Sequence, residues 1–105
     1  MTTEVAKTIL EQLGGNKFIA MTGAKNLTAR PDGLSFKIGR NDFGVSHVRV
    51  TLTAMDDYIM EFLRIRGSSI KSVGYAEGVY NDQLQEIFTA KTGMYTSLGS
   101  LGRAA

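Results

Sequence analysis

Two short segments have the spacing of a known catalytic apparatus. Ser68-Ser69-Ile70-Lys71 and Lys91-Thr92-Gly93 match the S-x-x-K and K-T-G elements of penicillin-recognising serine enzymes, where a lysine helps a serine attack an acyl group. At 105 residues the chain is far too short for that fold, and it has no S-D-N element. A polar loop after a strand and a helix end closed by glycine explain the two segments better. His47, the one histidine, would need a serine and an acid within reach to act as a base. Ser46 is adjacent, but neighbouring residues of a strand point to opposite faces, so the expected role of His47 is that of a hydrogen-bonded strand residue. A single histidine among scattered carboxylates is also a poor transition-metal site. Asp56 and Asp57, with Glu61 beyond them, could hold a hard cation, yet their spacing fits no metal loop and aspartates are expected in a turn. Thr22-Gly23-Ala24-Lys25-Asn26 lacks the G-x-x-x-x-G-K-[ST] pattern of a phosphate loop. No cofactor, metal or catalytic residue is expected.

The basic side chains form a better candidate. Residues 17–71 carry nine bases against five acids, although the whole chain has a net charge of only +2. Lys37, Arg40, Arg49, Arg64 and Arg66, with Phe43 and Tyr58 as stacking groups, have the chemistry to follow a phosphate backbone. A solvated sheet face accounts for the same bases without a ligand. Cysteine is absent, which excludes disulfides, thiolate metal sites and cysteine nucleophiles. Apolar and charged contents of 43% and 21% are those of a folded domain. The sequence has neither a membrane-length apolar run nor a signal-peptide pattern at Met1–Val5, so a cytoplasmic protein without a membrane partner is predicted.

The element that positions these residues is His47–Arg66. Val48, Val50 and Leu52 alternate with His47, Arg49, Thr51 and Thr53, the period of a half-buried strand. Met55-Asp56-Asp57 makes a turn. Beyond it both parities are apolar, with Tyr58, Met60 and Phe62 on one face and Ile59, Leu63 and Ile65 on the other, as in a central strand. Val5, Ile9, Leu10 and Leu13 predict a helix over about 3–13, with Thr2 or Thr3 as its cap and Gly14-Gly15 at its end. Lys17–Thr22 reads as a strand. Residues 26–39 read as a hairpin around Pro31-Asp32-Gly33. Gly39–Ser46 reads as a loop, Gly67–Gly74 as a break, and Val79, Leu84, Ile87 and Phe88 predict a helix over about 76–91. The fold class is α+β: an N-terminal helix, a four-stranded antiparallel meander and a C-terminal helix, packed as a two-layer sandwich. One domain is expected over 1–96, with a flexible tail at 97–105.

Four blocks of sequence, Leu13–Asn26, Leu34–Asn41, Met60–Gly67 and Thr92–Leu98, resemble a group of small uncharacterised proteins of bacteriophages and other mobile elements. The resemblance runs from about residue 8 to 98. It implies an accessory protein working inside a bacterial host, and it carries no activity or site over to this chain. The expected function is therefore non-enzymatic binding of a host or phage protein, as an inhibitor or adaptor, through Tyr58, Met60 and Phe62 if their face is open. The alternative is DNA or RNA binding on a basic sheet face. Homodimerisation through an edge strand or an apolar face fits the same pattern.

Overall fold

The computed structural model describes residues 4–94. Ile9 and Leu13 recur one turn apart and are fully buried in α1 (Glu4–Leu13). Gly14 ends that helix, its N–H reaching the carbonyls of Leu10 and Glu11, both at 3.1 Å. A second helix, α2 (Gly15–Thr22), follows at once and ends at Gly23, whose φ of 68° closes it. This corrects the strand expected at 17–22. A short apolar run does not distinguish strand from buried helix by pattern alone. Here Phe18 and Thr22, one turn apart, are the buried pair, and the Thr22 hydroxyl donates to the Phe18 carbonyl at 2.7 Å.

Five strands then run as an antiparallel meander in sequence order: β1 (Lys25–Arg30), β2 (Gly33–Lys37), β3 (His47–Leu52), β4 (Tyr58–Arg66) and β5 (Ser69–Val79). Both expected hairpins form. Pro31 and Asp32 turn β1 into β2, and the Thr53–Asp57 turn joins β3 to β4. In that turn the Asp57 carboxylate accepts from the Thr53 hydroxyl at 2.6 Å, so this aspartate serves the backbone geometry.

The fifth strand is a correction. β5 occupies the expected break at 67–74 and the first part of the expected helix. A 3-10 turn (Asn81–Gln83) precedes the shorter helix α3 (Leu84–Thr92). Its sequence, with Gly74, Gly78 and a mostly exposed surface, lacks strand character of its own. The open hydrogen-bonding edge of β4 supplies what the sequence does not. Register shifts near Gly74 and Gly78 take up the irregularities, and Gly78 has a φ of 65°.

The core gathers on one face of the sheet. Leu34, Phe36, Val48, Val50, Tyr58, Met60, Phe62 and Val79 join Ile9, Leu13, Phe18, Leu84 and Phe88 from the helices in a single buried cluster. Phe18 lies at its centre, edge-on to Phe36 at 5.3 Å and to Phe88 at 5.1 Å between ring centroids. Met94 packs against the same cluster. The expected N-cap at Thr2 or Thr3 and the 97–105 tail lie outside the described residues.

Candidate functional site

Strand alternation and register lay out the sheet face opposite the core. Lys37, His47 and Leu63 stand abreast across β2, β3 and β4, and Ser35, Arg49, Glu61 and Tyr75 form the next row across β2 to β5. Gly33, Thr51 and Ile59 make a third. On β4, Ile59, Leu63 and Ile65 are only half-buried, and Ile70, opposite Ile65, is 68% exposed. This face is polar and basic over β2 and β3, whereas over β4 and β5 it carries Ile59, Leu63, Ile65, Ile70 and Tyr75, with Glu61 and Ser72 among them. Arg49 is 4.0 Å from Glu61, so part of its charge is answered within the face.

Arg30 was not singled out in the sequence, and it organises one corner of this face. Its Nε donates to Ser35 Oγ at 3.1 Å, and its Nη2 donates to the Val50 carbonyl at 3.0 Å and to Thr51 Oγ1 at 3.2 Å. Asp32 lies 3.6 Å away. One guanidinium thus ties β1 to β2 and β3.

The expected recognition residues separate into three groups. Tyr58, Met60 and Phe62 are 5%, 0% and 0% exposed, so they cannot meet a partner; theirs is the face that the helices fill. The Tyr58 hydroxyl donates inward to Gln12 Oε1 at 3.0 Å, which also removes Tyr58 as a stacking group. Lys37 and Arg49 lie on the opposite face. Arg40, Arg64 and Arg66 converge elsewhere, at the end of the sheet where the β2–β3 loop meets the end of β4. There they line a groove of about 350 Å³ floored by Ile38 and Val45.

The β2–β3 loop is held in place by its own polar groups. Asn41 Nδ2 donates to the carbonyls of Gly39 and Val45 at 3.0 and 2.6 Å, and its Oδ1 accepts from the Val45 N–H at 3.0 Å. Arg64 fastens the loop to β4, its Nε donating to the Gly44 carbonyl and its Nη2 to the Phe43 carbonyl, both at 3.1 Å. Gly44 is required here. Its φ is 70°, and a Cβ would meet Arg64 Nη2 at 2.5 Å. Phe43 is 52% exposed and lines a second groove, also about 350 Å³, with Arg64, Val73, Ala90 and Lys91. Arg64 is common to both grooves.

Ser46 and His47 are closer than strand alternation implies. Ser46 precedes β3, and its Oγ lies 2.7 Å from His47 Nδ1, on the same side rather than across the strand. That oxygen also accepts from the Ile65 N–H at 2.9 Å and lies 3.3 Å from the Leu63 carbonyl. The hydroxyl therefore stitches the start of β3 to β4. Burial holds the imidazole below its ordinary pKa, and the charge of Lys37 lowers it further. Neutral Nδ1 can then accept the serine hydroxyl.

The other motifs hold the backbone. Thr92 is buried, its hydroxyl donating to the Phe88 carbonyl at 2.8 Å, and Gly93 closes α3 with a φ of 76°. Lys71 lies on β5 with no ion pair among the described residues. Among the described residues, no three His, Asp or Glu side chains stand together as metal ligands. No helix there is long and apolar enough to cross a membrane. Comparison with protein-family models, curated proteins and solved structures yields no match.

Proposed function

We propose that this is a small phage-like accessory protein that works in a bacterial host without catalysis, by binding another protein. The molecule is read as a two-layer sandwich whose helices cover one face of the sheet, and the other face is the recognition surface. The observation that carries this reading is the apolar row on that second face. Ile59, Leu63 and Ile65 of β4 lie beside exposed Ile70 and half-exposed Tyr75 of β5. An antiparallel sheet facing water normally alternates to polar residues there, and grouped apolar side chains rimmed by charge mark an interaction surface. Lys37, His47 and Arg49 border the row and suit a partner with an acidic rim. The partner-binding residues are thus the opposite parity of β4 from the one first expected.

Nucleic-acid binding by a basic sheet face has weaker support, because only Lys37 and Arg49 of the five bases lie on that face and Glu61 faces Arg49. The test uses the intact protein and Leu63→Lys as baits for bacterial lysate. Leu63 is half-exposed, so the variant keeps its circular dichroism spectrum. The expected result is a defined protein retained by the wild type and lost with Leu63→Lys. Equal retention by both baits, or none by either, overturns the reading. Light scattering of both proteins identifies self-association as the alternative use of the face.

A further inference from the structure

The two grooves that share Arg64 lie apart from the apolar row, and their chemistry differs from it. All ten carboxylate side chains of the sequence belong to described residues, yet the ion pairs among those residues are Arg30 with Asp32 and Arg49 with Glu61. Arg40, Arg64 and Arg66 therefore converge with no described carboxylate within salt-bridge distance. Arg40 and Arg66 are exposed and make no side-chain hydrogen bond to a described residue; Arg64 spends Nε and Nη2 on the loop and leaves Nη1 unused. Like charges brought together in this way repel one another, and a multiply charged anion relieves that repulsion better than a single carboxylate does. Guanidinium forks match the oxygens of a phosphoryl group. The loop is already braced by Asn41 and Arg64, so little order remains to be imposed on binding.

Across Arg64 the second groove offers an aromatic surface. The Phe43 ring rests near Gly93, where a Cβ would meet Phe43 Cε2 at 3.4 Å, and about half of the residue is exposed. A nucleobase can stack on such a ring whatever its sequence. Lys91 lines the same groove and adds a cation beyond the ring.

We propose that the grooves on either side of Arg64 form one site for a nucleotide phosphate, with the phosphoryl group among Arg40, Arg64 and Arg66 and the base against Phe43. The nucleotide is either free or part of a single strand. Lys91 separates the two sources, because it lines the groove beside Phe43 and only a strand has a further phosphate to place against it.

The test titrates the intact protein with thymidine 5′-monophosphate, with a fluorescent oligothymidylate and with inorganic phosphate at low salt. Arg66→Gln and Arg40→Gln should each weaken binding of the nucleotide probes about tenfold, near 1.4 kcal/mol. Each should also lower the steepness of the log–log salt dependence for the oligonucleotide by about 0.7. Lys17→Gln, an exposed change on α2, should leave binding intact. Phe43→Ala should weaken both nucleotide probes but not inorganic phosphate. Loss on Lys91→Gln confined to the oligonucleotide identifies a strand; Lys91→Gln without effect on either nucleotide probe identifies the free ligand. Absence of binding for all three probes, or equal loss with Lys17→Gln and Arg66→Gln, overturns the proposal. Leu63→Lys tests a different surface and should bind the nucleotide probes as the wild type does.

Discussion

His47 shows how one side chain links local geometry to a solution property. Its folded-state pKa is depressed by burial and by Lys37, so the unfolded chain takes up that proton more readily than the folded one. Stability from this group is complete above the unfolded-state value of about 6.5, and it falls as pH drops through that value toward the lower folded-state pKa. Urea midpoints of the wild type and His47→Gln at about pH 7.5 and about pH 5.5 measure this, and the wild type should lose more between the two. An equal change in both proteins would mean that His47 does not titrate as described. His47 could be placed on a strand from sequence, but its bond to Ser46 could not. Ser46 stands before the strand begins, so the alternation rule does not apply to it.

Among the elements, the corner of β1, β2 and β3 depends on one glycine. A Cβ at Gly33 would collide with the Val50 carbonyl and approach Arg30 Nη2 to 2.7 Å. Gly33→Ala must therefore displace either β3 or the Arg30 guanidinium that ties the three strands together. Overpacking of this kind costs about 1–3 kcal/mol. A lower thermal midpoint with an unchanged spectrum is the expected outcome, and a midpoint equal to the wild type would show that the corner yields freely. The Pro31-Asp32-Gly33 signal identified this turn from sequence. The need for glycine arises instead from strand β3, seventeen residues further on at Val50.

For the whole molecule, Phe18 carries the largest consequence. It is fully buried, touches rings from β2 and α3, and sits on the helix that the sequence pattern suggested as a strand. Phe18→Ala should cost about 3–5 kcal/mol, because the rings of Phe36 and Phe88 cannot both move in to fill the space. Chemical denaturation measures the loss, and a cost below about 1 kcal/mol would show a core able to repack there. The two proposed surfaces respond differently: Leu63→Lys and Arg66→Gln alter the surface and should leave this core intact.

The sequence by itself determined an α+β chain with a helix over about 3–13, hairpins over 26–39 and 47–66, and the split of 58–65 into two apolar parities. Those features follow from periodicity and turn chemistry, which act between residues close along the chain. The tertiary structure decided that Lys17–Thr22 is helical, that a weakly patterned segment becomes a fifth strand on the edge of β4, and that Tyr58, Met60 and Phe62 are the covered parity. It also brought Arg40 to Arg64 and Arg66, more than twenty positions further along the chain. Each of these outcomes depends on which surface another element offers, a relation between distant segments that no local pattern records.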